Sequence, residues 1–526
     1  VKRGYIIILV LVGLLPVLAC NMPVARVATP DVKTAVEQTL VAIQATKSAK
    51  TEMASSAAQA DVPAAPTQNL ATFTPLPPLP IVTVNAPTPA PMLDEHTFQY
   101  VTQPGDTLLG LAGRFGIDPE QIPNPQNAAP QMLLRAGQTL AILNTLDQAP
   151  EAGLLMPDSE IVDSPSAADF STPEFVRRAG GFLSTYSGPA DNQVLTGAQI
   201  IQRVAQETSI DPRMLLAVLE YRSKWVYGQP ADPNNTAYPV GFYASNFNGL
   251  YKEMTLVARQ LTIGYYGWRS GQITELVFAD GTHQRIHPTL NAGTAAVQYL
   301  FSKLYSPADW RTELYDPARF IAFYASAFGD PWQRATAIGP LLPDDLTQPG
   351  FELPFPRGQT WTLTGGPHAA WGIGSVWGGL DFAPSNVESG CTVSAFWATA
   401  AAPGLVVRSE NGEVIIDLDG DGHEQTGWAL LYLHMAAKDR VAVGKWVNID
   451  DPIGHPSCEG GVATGTHVHI ARKYNGEWIG ADGPLPFVLS GWQALASTRQ
   501  YYGALTKSGQ IITSRVDSVR TSIITR

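Results

Sequence analysis

Near its C-terminus the chain reads Gly465-Thr466-His467-Val468-His469-Ile470, and upstream stand Gly366-Pro367-His368 and Gly379-Leu380-Asp381-Phe382. Side chains alternate along a strand, so His467 and His469 project from one face. One of them can bind a metal while its neighbour faces a substrate. Asp381 points away from Leu380 and Phe382, which are free to enter a core. Two imidazoles and one carboxylate leave a tetrahedral zinc ion one open position, the arrangement of a catalytic rather than a structural site. Such an ion polarises a carbonyl and lowers the pKa of water, so the chemistry is metal-assisted hydrolysis. Six of the nine histidines (His368, His423, His434, His455, His467 and His469) fall between 368 and 469; only His96, His283 and His287 lie elsewhere.

The elements that must position these groups are strands. Short β-type runs occur at 405–408, 413–418, 428–434 and 466–471, separated by Gly, Pro and Asn-Gly, so an antiparallel sheet is expected over 350–492. Residues 493–526 are read as a C-terminal tail. Upstream, 174–345 carries long amphipathic stretches and predicts a helical domain, with one hairpin at 276–286 turning on Asp280-Gly281. His283 and His287 are expected on the surface of that hairpin, because no carboxylate or third histidine follows them. Residues 147–173 are polar and proline-bearing and read as a linker. Residues 21–95, rich in Ala, Thr and Pro, read as an extended tether.

With 526 residues the chain is too long for one core. A net charge of −12 with 15% charged residues suggests neither a nucleic-acid surface nor a polybasic membrane patch. Lys2 and Arg3 precede an apolar run from Ile6 to Leu15 that is too short to span a bilayer but suits an export signal over 1–20.

That run ends in Val17-Leu18-Ala19-Cys20, which resembles the lipobox of bacterial lipoproteins and implies a diacylated Cys20. Residues 96–146, with Tyr100-Val101-Thr102-Gln103-Pro104-Gly105-Asp106-Thr107-Leu108 and Leu134, Gly137, Leu140 and Ile142, resemble a lysin motif. The likeness implies a βααβ module that binds glycans such as peptidoglycan; Asp106 or Thr107 is placed to cap its helix. In the helical domain, 210–225 and 291–300 resemble lysozyme-fold lytic transglycosylases. Arg222 precedes Ser223 where that family has its catalytic glutamate, so a degenerate lysozyme-like domain is implied.

The C-terminal domain resembles the lysostaphin-type zinc endopeptidases of bacterial cell walls, specifically their β-lytic branch. Trp377 stands where most of that superfamily has the first histidine, four residues before Asp381. His368 stands thirteen residues before it, in keeping with the β-lytic branch, and 464–469 match the final motif closely. The resemblance implies Zn2+ held by His368, Asp381 and His469, with His434 and His467 flanking the catalytic water; which of the two is the general base stays open.

If Cys20 carries lipid, Cys391 and Cys458 are left to pair in an oxidising compartment. A thiol pair or zinc ligation by cysteine are the other readings. Asp417-Leu418-Asp419-Gly420-Asp421-Gly422 resembles the start of a calcium loop, yet Trp428 replaces the glutamate an EF-hand places at position twelve. A solvated turn is the expectation there, and His455 is expected to be a loop residue.

The resulting expectation is a multidomain α+β protein: lysin motif, helical lysozyme-like domain and antiparallel β zinc peptidase. It implies an exported, lipid-anchored hydrolase of peptidoglycan peptides, on the outer face of the cytoplasmic membrane or in the outer membrane. The competing function class is a non-catalytic wall-binding protein or regulator of other wall hydrolases.

Overall fold

The computed structural model describes residues 96–526 apart from 147–150, 233–235, 385–389 and 516–519, with 84, 86–88 and 92–94 upstream. The expected signal peptide, Cys20 and nearly all of the tether lie outside the described residues. No described helix is long and apolar enough to cross a membrane.

Three strand and helix elements build the first module: β1 (Thr97–Val101), α1 (Leu108–Phe115) and β2 (Thr139–Leu143), with β1 and β2 antiparallel. Alternation in the strands and helical spacing in α1 bury Phe98, Tyr100, Leu111, Phe115, Leu140 and Ile142 together. Thr107 caps α1 by accepting from the Gly110 amide at 3.0 Å. Asp106 instead accepts from the Tyr100 hydroxyl at 2.7 Å and pairs with buried Arg114. The expected second helix shrinks to a 3-10 turn at Pro119–Gln121, where Pro119 and Pro123 leave no room for further turns.

The helical domain comprises α2 (Thr172–Ala179), α3 (Gly197–Thr208), α4 (Pro212–Ser223), α5 (Leu250–Arg269), the hairpin β3 (Glu275–Val277) and β4 (His283–Arg285), α6 (Ala292–Ser302), α7 (Pro307–Tyr315), α8 (Phe320–Phe328) and α9 (Pro331–Ile338). The linker expected at 147–173 is corrected over most of its length. Leu155, Met156, Ile161 and Val162 are buried in the helical core, and Glu160 accepts from Tyr324 at 2.6 Å and from Arg334. Polar residues there serve buried hydrogen bonds rather than water. His287 is a second correction. It is buried rather than superficial, with its ring edge-on to Phe98 of the first module at 5.4 Å. His283 is exposed as expected, 3.5 Å from Glu275.

The C-terminal domain is a nine-stranded antiparallel sheet. Its elements are β5 (Thr360–His368), β6 (Gly379–Pro384), β7 (Gly404–Glu410), β8 (Glu413–Asp417), β9 (Trp428–Leu433), β10 (Trp446–Val447) and β11 (Val468–Tyr474); later come β12 (Trp492–Ala496), β13 (Gly503–Lys507), β14 (Gln510–Thr513) and β15 (Ile523–Thr525). The sheet runs β10-β7-β8-β9-β11-β6-β5-β15, with Glu477–Trp478 beside β11. β12 to β14 form a separate small sheet. The tail expected at 493–526 is therefore part of the fold: β15 closes the edge along β5, pairing Ile524 with Trp361.

Alternation sorts the sheet into two faces. Val414, Ile416, Leu430, Tyr432, Val468, Ile470, Leu380 and Phe382 enter one core. Ile415, Ala429, Leu431, Ala471 and Trp478 face the other way, where Tyr266 of α5 packs on them. Polar contacts hold the helical domain there: Ser209 Oγ donates to the Gly476 carbonyl at 2.7 Å, the Tyr266 hydroxyl accepts from the Trp478 amide at 2.8 Å, and Arg269 pairs with Glu477 at 3.1 Å.

Candidate metal centre

Register brings the predicted ligands together. In the β6–β11 pair Asp381 stands opposite His469, and in the β5–β6 pair His368 stands opposite Gly379. Because Leu380, Phe382, Val468 and Ile470 turn into the core, Asp381 and His469 must leave from the opposite face. Their ligand atoms and that of His368 all lie within 4.8 Å of one another, and all three residues are buried. His368 Nε2 is 3.0 Å from His469 Nδ1 and 3.3 Å from Asp381 Oδ1; His469 Nδ1 is 3.0 Å from the same oxygen.

Two glycines make this closeness possible. A Cβ at Gly379 would sit 2.1 Å from His469 Cε1, and one at Gly365 would sit 2.3 Å from Asp381 Oδ2. Both distances are far inside contact, so these positions carry no side chain.

The outer ring nitrogens fix the tautomers. His368 Nδ1 donates to the Gly366 carbonyl at 2.8 Å, and His469 Nε2 to the Ala370 carbonyl at 3.1 Å. In the neutral rings this turns two lone pairs toward each other across 3.0 Å, beside a carboxylate. That arrangement is repulsive alone and is relieved by a cation between them, and such outer-nitrogen bonds are what orient metal-binding imidazoles. The donor set fits zinc: two nitrogens and one carboxylate oxygen, all from rigid strands.

Electrostatics agree with a cation site. Burial works against the charged form of Asp381, but His368 and then His467 override it and hold the carboxyl well below its usual range. Burial likewise opposes charge on His368, while Asp381 raises it overall. For His469 burial dominates and lowers the pKa.

The two further histidines predicted for chemistry lie alongside. His467 Nε2 is 3.7 Å from Asp381 Oδ1, and its Nδ1 is held by the Gly465 carbonyl at 2.7 Å. The His434 ring centroid is 4.5 Å from that of His467, with Nδ1 held by the Glu459 carbonyl at 3.2 Å. Burial, then His467 and His469, push the His434 pKa down to about 3.

His455 is elsewhere, its ring tilted against Trp397 with centroids 3.9 Å apart and bonded to the Phe396 carbonyl, as expected of a loop residue. Cys391 and Cys458 are disulfide-bonded, Cα atoms 5.5 Å apart, so neither is a metal ligand. The bridge secures the strip at 390–392, where Thr466 donates to Thr392 and accepts from its amide immediately before His467.

Tyr501 escaped the sequence reading. Its ring stacks on His368 at 4.1 Å, and its hydroxyl is raised by burial and by Asp381. It comes from the segment taken for a tail, so only the closing strands reveal it. Tyr501 and His434 both have left-handed backbone, at φ 68° and 66°. Strain of this kind costs on the order of 1–3 kcal/mol and gathers at functional sites. In the helical domain Glu220 accepts from the Val226 and Tyr227 amides at 2.8 and 3.0 Å, so it closes a turn and presents no acid.

Comparisons with known proteins follow the same division of the chain. The LysM domain model matches residues 100–142, and the model "LasA, N-terminal domain" matches residues 154–341, which take in most of the expected linker and most of the 174–345 segment read as lysozyme-like. Protease LasA of Pseudomonas aeruginosa is 27% identical over 310 residues, 52% of this chain and 65% of the relative. Beta-lytic metalloendopeptidase of Achromobacter lyticus is 28% identical over 207 residues, 37% of this chain and 51% of the relative. The chain thus spans about two-thirds of LasA and about half of the Achromobacter protein. The solved M23 metalloprotease pseudoalterin aligns over 32% of this chain and 96% of its own, at 21% identity and a TM-score of 0.27.

Proposed function

We propose that the chain, which carries a lysin motif and a zinc metalloendopeptidase domain of the lysostaphin type, hydrolyses peptide bonds of bacterial cell-wall peptidoglycan. In this reading His368, Asp381 and His469 hold zinc. The observation that carries it is the convergence of two lone pairs and a carboxylate at 3.0–3.3 Å, with both imidazoles oriented from behind by backbone carbonyls.

When bound, zinc supplies Lewis acidity toward water and toward the scissile carbonyl. The chain's own residues handle protons. His434 and His467 each have Nδ1 tied to a carbonyl, which leaves Nε2 free to accept a proton from attacking water and return it to the departing amine. The lowered pKa keeps His434 neutral, with its Nε2 lone pair unprotonated. Tyr501 keeps its hydroxyl proton and can donate a hydrogen bond to developing negative charge.

The lysin motif gives the enzyme a hold on glycan. A lipid on Cys20 would hold it to a membrane, a part of the proposal resting on the Val17-Leu18-Ala19-Cys20 sequence. In the helical domain Glu220 is held by main-chain amides, and the domain braces the sheet face opposite the main core. Digesting purified peptidoglycan with and without a chelator, then locating new amino termini by mass spectrometry, tests the proposal. Chelator-sensitive release of free amines supports it; unchanged muropeptides at stoichiometric zinc would leave only a wall-binding protein.

A further inference from the structure

A second cation site, independent of the zinc reading, lies at the far end of the sheet. The loop joining β8 to β9 places the carboxylates of Asp417, Asp419 and Asp421 within 4.8 Å of one another. Asp417 is fully buried, and its Oδ1 has no hydrogen-bond partner although no solvent reaches it. Its other oxygen accepts from the Gly422 amide at 2.9 Å. A buried carboxylate oxygen left without a partner costs stability unless a cation satisfies it.

Hard oxygen donors at alternate positions, i, i+2 and i+4, are what calcium takes in its loop sites, with glycine at the sixth position for the sharp turn and a main-chain carbonyl at the seventh. Gly422 occupies the sixth position with φ 96°, while the His423 carbonyl, at the seventh, is taken by the Thr426 amide and hydroxyl. Gln425, at the ninth, is committed to Asp163 at 3.0 Å, and Trp428, at the twelfth, offers no oxygen from its side chain. Glu424 is taken by Arg408 and Lys473. We propose that Asp417, Asp419 and Asp421 bind one calcium ion, water completing the shell. With only three carboxylates, affinity belongs in the weak range of extracellular modules, Kd about 10⁻⁴–10⁻³ M.

The consequence is structural. β9 starts at Trp428, directly after this loop, and leads to His434 at its other end, while Gln425 and Glu424 tie the same loop to the helical domain and to β7 and β11. Calcium would therefore fix the hairpin that carries one of the proposed proton-handling histidines.

Terbium luminescence tests this on the zinc-loaded full chain, because the Trp446 ring lies against the loop, 2.7 Å from where a Gly420 Cβ would stand. Excitation of tryptophan should give sensitised emission saturating at one Tb3+ per chain, displaced by Ca2+ at millimolar concentration and much less readily by Mg2+. Asp419→Asn and Asp421→Asn alter exposed side chains and leave the core intact; each should weaken terbium binding about tenfold or more. Calcium should raise the unfolding midpoint of the unsubstituted chain by about 2–4 °C and leave that of Asp421→Asn unmoved. Absence of sensitised emission, emission from both variants as strong as from the unsubstituted chain, or displacement by Mg2+ as readily as by Ca2+ would overturn the proposal.

Discussion

Asp381 and His469 face each other across the β6–β11 pair, with Oδ1 3.0 Å from Nδ1. That one register decides the candidate centre: a slip of one residue would send both groups into the apolar core and bring Leu380 and Ile470 out. The ligands are thus fixed by the same alternation that builds the sheet.

Removing a ligand should remove the metal. His368→Ala and Asp381→Asn are expected to purify without zinc and to release no new amines from peptidoglycan. Metal content by mass spectrometry and amine release on the same samples check both.

The two flanking histidines should separate chemistry from binding. His434→Gln and His467→Gln are expected to keep one zinc per chain while kcat falls about 10²–10⁴-fold, the usual contribution of positioned proton transfer. Loss of zinc in either variant would move that residue into the ligand set.

Backbone clearance around the ligands is open to the same test. Gly379→Ala puts a methyl 2.1 Å from the His469 ring and should weaken zinc binding about 10–100-fold, as loss of outer-sphere support does. Gly350→Ala, where nothing lies within 4 Å, should change neither zinc affinity nor activity. Competition with a chromogenic chelator measures both.

The Cys391–Cys458 bridge spans 67 residues, so opening it should cost about 4 kcal/mol on the chain-entropy account. The Cys391→Ser/Cys458→Ser double variant is expected to unfold at correspondingly lower denaturant concentration. Because Thr392 and Thr466 lock the strip beside His467, its activity should fall as well.

Stability should depend on pH through His287. Burial lowers its pKa from the ordinary 6.5 to about 4. Between those values the unfolded chain binds more protons than the folded one, so this contribution is complete above pH 6.5 and is lost as pH falls toward 4. The loss is on the order of 3 kcal/mol. Urea unfolding at pH 7 and pH 5 should show a smaller drop for His287→Phe than for the unsubstituted chain.

Legibility followed periodicity. Asp381 and His469 sit in alternating strands, and His368, His467 and His434 in or beside them, so the motifs that carry the resemblance to the β-lytic branch led to a group of five that the sheet brings together. The helices of 174–345 were legible from amphipathic spacing. The 154–167 segment was not, because its polar residues look like linker while Glu160, Asp158 and Asp163 pair across the fold with groups far away in sequence. Tyr501 was hidden for the same reason: its place on His368 depends on β12, β13 and β15 folding back, a long-range pairing that no local pattern announces. His287 looked superficial because the lysin module that covers it lies 140 to 190 residues earlier.

The most direct test is diffraction at the zinc absorption edge from crystals of the zinc-loaded chain. A single anomalous peak about 2.0–2.2 Å from His368 Nε2, an Asp381 oxygen and His469 Nδ1 is the expected result. A peak on other residues, or none at stoichiometric zinc, would contradict a zinc peptidase built on these three side chains.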